Sequence, residues 1–191
     1  MARVFVITGP SGVGKGTLIR ALMQREPRLA LSVSATTRAP RPGESDGVDY
    51  HFLTREDFDA RVDAGEFVEH ADYAGRSYGT LRSELEERLA DGVPVLLEIE
   101  VQGARQVRAA MPEAVQVFIA PPSLQALRTR LIGRGTDGAE EVDRRLAVAE
   151  GELEAQPEFS HVVVNDRLEE ALARLCAIVA GELDTPAQPP L

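Results

Sequence analysis

Four apolar runs rich in β-branched residues punctuate the chain, at Val4–Ile7, Val93–Val101, Val115–Ile119 and Val162–Val164, with helical patterns between them. Continuous apolar runs of this length suit strands covered on both faces, and interposed helices supply the cover. The pattern predicts an α/β fold built on a doubly wound, mainly parallel sheet. From Ser32 to about Gly79 the texture changes to prolines (Pro40, Pro42), glycines and short alternating stretches. That predicts an inserted mixed α/β subdomain over residues 32–80, carrying a second ligand site. Inside it, Thr54 is placed to cap a helix with Asp57 three residues on, and Gly65 to end it. Thr80 is read in the same way, as the N-cap of a helix over Leu81–Leu89.

From Ser123 to about Leu153 the pattern is helical but interrupted by Gly133-Arg134-Gly135-Thr136-Asp137-Gly138, which predicts a helical lid over residues 123–153. The core then falls to residues 1–31, 81–122 and 154–184. Residues 185–191, with three prolines, cannot continue a helix and are expected to be disordered.

The first apolar run leads directly into Gly9-Pro10-Ser11-Gly12-Val13-Gly14-Lys15-Gly16-Thr17. A strand, then glycines, then a helix start gathers backbone N–H groups around one point at the positive end of a helix dipole, where polyphosphate fits. Gly9, Gly14 and Lys15 meet the spacing of a phosphate loop, and Lys15 is the only lysine in a chain whose other 20 basic residues are arginines. A compact ammonium on a flexible stem is thus kept where a planar fork would not serve. The strict pattern has a hydroxyl after the lysine; here Gly16 stands there and Thr17 follows. Direct protein ligation of a metal is therefore not expected. A metal ion would be held mostly by water and nucleotide, with Thr17, Glu98 or Glu100 acting through water.

The formal net charge of −10 disfavours nucleic acid and anionic membranes, so an anionic substrate must meet clustered arginines. Neither a leader pattern nor a spanning apolar run is evident, which gives a cytoplasmic expectation. The single cysteine, Cys176, lies in an apolar helical stretch and is read as a buried thiol. His51, His70 and His161 have no metal-ligand spacing. Glu98 and Glu100, two apart at the end of the second apolar run, are expected on one face of the sheet near the phosphate loop.

Arg38 and Arg41 stand three apart on a proline-stiffened loop, an arrangement suited to a dianionic phosphate. With Ser34, Tyr50, Glu69, Ser77-Tyr78-Gly79-Thr80, Glu98-Ile99-Glu100-Val101-Gln102-Gly103, Gly133-Arg134-Gly135 and Val164-Asn165-Asp166, the chain resembles a guanylate kinase from about Arg3 to Leu183. The resemblance implies a P-loop NTPase-like core, a GMP-binding insertion and a lid, catalysing ATP + GMP to ADP + GDP with Mg²⁺, and dGMP as a further acceptor. It assigns the GMP phosphate to Arg38, Arg41, Tyr50 and Tyr78, and the guanine to Ser34, Glu69 and Thr80. Glu98 and Glu100, where the family often has aspartates, fall on the GMP side. Residues 9–17 with Arg130, Arg134 and Asn165 would bind ATP, and Lys15, Arg41, Arg134 and Arg145 would stabilise the transferring phosphoryl group. The chain would act as a monomer or small homo-oligomer.

The chemistry of the bases agrees with that assignment. Guanine offers N1–H and an exocyclic amine that one carboxylate can accept together, whereas adenine presents an unprotonated N1 to the same carboxylate. The acceptor phosphate is already an oxyanion, so no general base is needed and the absence of a Ser/His/Asp constellation is expected. A catalytically silent guanylate-kinase-like protein-binding module is the alternative; such modules usually have degraded phosphate loops, and this loop is complete. A kinase for another small phosphate is opposed by Ser34, Glu69 and Thr80 together. Arg167, where an acid commonly follows Asn-Asp, has no account.

Overall fold

The computed structural model describes residues 3–73, 75–133 and 139–184. In chain order the elements are β1 (Val4–Thr8), α1 (Lys15–Arg25), β2 (Ala30–Leu31), β3 (Ala35–Thr36), β4 (His51–Phe52), α2 (Arg55–Asp63), β5 (Phe67–Tyr73), β6 (Arg76–Leu81), α3 (Arg82–Ala90), β7 (Val95–Glu98), α4 (Val101–Ala110), β8 (Val115–Ala120), α5 (Leu124–Gly133), α6 (Ala139–Glu154), β9 (His161–Val164) and α7 (Leu168–Asp184).

Five strands form a parallel sheet in the order β2-β7-β1-β8-β9. Every residue of β1 and β8 is buried, as helices on both faces require. The period-2 alternation of a strand sorts β1 between two cores. Phe5 and Ile7 pack with Leu18, Leu22, Leu172 and Leu175 of α1 and α7. Val4 and Val6 pack on the other face with Leu85, Val101, Ala104 and Val107 of α3 and α4. This is the doubly wound arrangement expected from the sequence. Truncating Phe118, fully buried in the second core, would cost about 3–5 kcal/mol.

A second, mixed sheet in the order β4-β3-β6-β5 lies within residues 35–81, together with α2. Thr54 caps α2 as expected, its hydroxyl accepting from the Asp57 N–H at 3.0 Å. Gly65 follows the helix with φ +69°.

Three expectations are corrected. The run Val93–Val101 is not one strand: β7 covers Val95–Glu98, and Val101 already opens α4. Ile99 and Val101 stay buried after the backbone has turned, so burial prolongs the apolar run beyond the strand. Thr80 caps no helix. It stays in β6, paired with Glu69 of β5, and Leu81 is the N-cap of α3. Strand β2, two residues at the sheet edge, is too short to leave a period in the sequence. Cys176 is half-buried against the first core rather than fully buried, and desolvation raises its thiol pKa. The lid break beyond Gly133 and the tail lie outside the described residues. No described helix is long and apolar enough to cross a membrane.

Candidate active site

At the carboxyl end of β1 the chain enters the phosphate loop and leaves it as α1. Gly14 is the N-cap of α1 with φ +97°, and a Cβ there would meet Asn165 Nδ2 at 2.7 Å. A Cβ on Gly9 would lie 2.2 Å from the carbonyl oxygen of Ile119 in β8. The loop is therefore seated against β8 and the end of β9 at a distance that only glycine allows. Lys15 folds back over it, its ammonium donating to the carbonyls of Gly9 and Pro10. Asn165 Nδ2 donates to the Val13 carbonyl at 2.8 Å, and Arg130 donates to the same carbonyl at 3.3 Å and to the Asn165 carbonyl at 2.8 Å. Both side chains, assigned to ATP by resemblance, are thus engaged with the loop backbone.

The loop opens into a cavity of about 510 Å³ that reaches the second sheet. Its phosphate-loop wall is Pro10, Ser11, Gly12, Gly14, Lys15, Gly16 and Thr17; its far wall includes Ser34, Tyr50, Glu69 and Tyr78; Glu98, Glu100 and Arg145 lie between. Gly9 and Val13 sit beneath the loop and Thr80 behind Glu69, all buried. Arg38, Arg41, Arg130 and Asn165 do not line the cavity, and Arg134 lies outside the described residues.

Glu69 is 4 % exposed, and its Oε1 accepts from the Thr80 hydroxyl at 2.7 Å. Burial pushes its pKa up to about 7; the Thr80 bonds oppose the shift, and the charge of Glu100 adds to it. The Tyr50 and Tyr78 rings meet edge to face at 6.2 Å, and the Arg38 guanidinium lies 5.2 Å from the Tyr50 ring centroid. Desolvation raises the Tyr50 pKa and keeps its hydroxyl protonated as a donor. Arg38 is held by a two-pronged pair with Glu44, both bonds 2.9 Å, and by the Ala39 carbonyl. Glu44 also accepts from the Arg41 N–H at 2.7 Å.

The carboxylate of Glu98 is raised in pKa by burial, with Lys15 acting against the shift. Glu152, from α6, is raised as well, by burial first and then by the charge of Glu100 and a bond with it. Among the described residues no group of three or more acidic, His or Cys side chains is arranged to hold a metal ion. Chemically, one end of the cavity offers anion-binding amides and cations, and the other a buried carboxylate beside hydroxyl donors.

The family model for guanylate kinase matches residues 1–182. The chain belongs to the guanylate kinase family. It is 57 % identical over 175 residues to a guanylate kinase of Synechococcus sp. (strain CC9311), covering 92 % of each chain. With one from Frankia casuarinae it shares 58 % over 176 residues, covering 92 % of this chain and 96 % of the relative. The crystal structure of guanylate kinase from Anaplasma phagocytophilum superposes with a TM-score of 0.78 at 34 % identity, covering 96 % of this chain and 87 % of that one.

For a guanylate kinase the main residues that sequence reasoning passes over are Glu44, Arg20 and Glu152. Glu44 stands beside the two arginines of its loop, but a side chain reaching six residues back to Arg38 leaves no periodic signal. Arg20 lines the cavity and its charge opposes the rise in the Glu98 pKa, yet it reads as an ordinary helix-face arginine. Glu152 reads as one more solvated acid on α6. Glu98 and Glu100 do not share a strand face: Glu98 ends β7 and Glu100 is the N-cap of α4, because the backbone turns between them. Both still line the cavity.

Proposed function

We propose that this chain transfers the γ-phosphoryl group of ATP to GMP, and to dGMP, giving ADP and GDP. The observation that carries the reading is the continuous cavity joining a complete phosphate loop to the Glu69–Thr80 seat. The reading divides the chain into a core, a GMP-binding insertion over 32–80 and a lid over 123–153. Lys15, Arg134 and Arg145 neutralise the transferring group, and Arg41 the acceptor side, because a loose phosphoryl-transfer transition state spreads charge over equatorial oxygens. Tyr50, Tyr78, Arg38 and Arg41 hold the GMP phosphate; Ser34, Glu69 and Thr80 hold the base, and Glu69 accepts from both guanine donors. Glu98 and Glu100 complete that side. Asn165 and Arg130 serve the ATP side by holding the Val13 carbonyl in place.

Oxygen donors suit Mg²⁺, and of the residues lining the cavity Thr17, Glu98 and Glu100 would hold its water shell. Bound with ATP, Mg²⁺ would supply positive charge to offset that of the phosphates. The net charge of −10 supports action on free nucleotides in the cytoplasm, without nucleic-acid or membrane partners.

The test is ADP release from Mg·ATP with GMP, dGMP, AMP, CMP, UMP and a ribose phosphate offered separately. Turnover is expected with the guanine nucleotides alone. Glu69→Gln should lower kcat/KM for GMP by about 10²-fold, the equivalent of losing two bonds to a charged group at about 1.5 kcal/mol each. A folded protein that turns over no acceptor would instead be the silent binding module.

A further inference from the structure

Gly103 occupies a position where its own helix would be better served by alanine. It is the third residue of α4, without the positive φ that would call for glycine, and an alanine there would favour the helix by about 1 kcal/mol. What stands in the way is Glu69. A Cβ on Gly103 would lie 2.4 Å from Glu69 Oε2, 3.1 Å from Cδ and 3.5 Å from Cγ. The carboxylate has little freedom to withdraw: its backbone is paired to Thr80 across β5 and β6, and its other oxygen accepts from the Thr80 hydroxyl at 2.7 Å. It is 4 % exposed and lines the cavity, so the room open to a displaced carboxylate is the space that the base would fill.

We infer that Gly103 is a specificity-determining position, whose missing side chain forms the seat in which Glu69 presents its carboxylate to guanine. The inference rests on the reading of Glu69 as the guanine acceptor. Thr80 fixes one carboxylate oxygen by a hydrogen bond, and Gly103 fixes the other by leaving room for it. A methyl group at this position displaces the carboxylate against bonds that fail beyond about 3.5 Å. A misplacement of about 1 Å costs on the order of 10²-fold. The ATP side, built on residues 9–17, is not touched by this contact.

The experiment is a double-mutant cycle of Gly103→Ala and Glu69→Asp, read as KM and kcat for GMP, AMP and ATP, with thermal shifts on adding ATP or GMP. Gly103→Ala should lower kcat/KM for GMP by about 10²-fold and narrow the GMP/AMP preference. Its KM for ATP and its ATP-induced thermal shift should stay within about 2-fold of the parent, the scatter expected of uncoupled sites. Glu69→Asp, shorter by one methylene, should be costly alone but nearly free of cost when added to Gly103→Ala, because it relieves the same overlap. Additive losses, or ATP and GMP binding falling together, would overturn the inference in favour of a purely structural glycine. If Glu69→Gln leaves GMP turnover intact, the guanine reading itself fails. If Glu69→Gln loses GMP and Gly103→Ala does not, only the role of Gly103 fails.

Discussion

Glu69 is a carboxylate almost wholly withdrawn from water, and its ionisation is correspondingly costly. Its folded pKa of about 7 lies above the ordinary value of 4.5, with desolvation the principal cause. Between those two values the folded state keeps a proton that the unfolded chain has released. Stability from this group is therefore present below about pH 4.5 and is lost as pH rises to about 7. At pH 8 the deficit is about 3 kcal/mol. On the proposed reading, guanine supplies two donors to the charged form, so GMP binding below pH 7 must expel a proton. We expect kcat/KM for GMP to fall on the acid side of about pH 7, approaching tenfold per unit. Glu69→Gln should remove that limb and raise the melting temperature at pH 8, as pH–rate profiles and thermal melts would show. A resemblance finds Glu69 in the sequence, but its burial and its bond to Thr80 come from strands β5 and β6 meeting.

Elements decide how the arginines of the 38–41 loop are presented. Arg38 and Glu44 are only 15 % and 19 % exposed in their side chains, and one carboxylate holds both the Arg38 fork and the Arg41 backbone. An unrestrained arginine has about 2 kcal/mol of rotamer entropy to lose on gripping a phosphate. The charge of Glu44 is already met by the Arg38 guanidinium through two bonds of 2.9 Å, which offsets its repulsion of a phosphate. Glu44→Ala should therefore raise the KM for GMP by about tenfold, while guanosine, which lacks the phosphate, binds as before; calorimetric titration of both ligands separates the effects. Thr54 and Thr80 carry the other lesson at this scale. Each is a hydroxyl followed by an acid or an apolar run, and a local reading makes both of them caps. Thr54 is one, because nothing competes for its backbone. Thr80 is not, because pairing with Glu69 keeps it extended, and tertiary pairing outweighs a cap of about 1 kcal/mol.

Across the whole molecule, the cavity lies between two sheets, with Arg145 of α6 on its wall. Two polyanions must be brought together there with water excluded. We expect the radius of gyration from solution scattering to contract when Mg·ATP and GMP analogues are both bound. Identical profiles with and without them would exclude closure.

The parallel core, the phosphate loop and the capped α2 follow from the chain itself, because each is written in local terms: continuous apolar runs, a glycine spacing, a hydroxyl three residues before an acid. Such signals survive in a one-dimensional string because the interactions behind them span a few residues or a fixed period. The bonds of Asn165 and Arg130 to Val13 and the seat that Gly103 leaves for Glu69 join residues as much as 152 positions apart. No period links such pairs. They exist only once the sheets and helices have packed, and they set the charge and position of the groups proposed to meet the nucleotides.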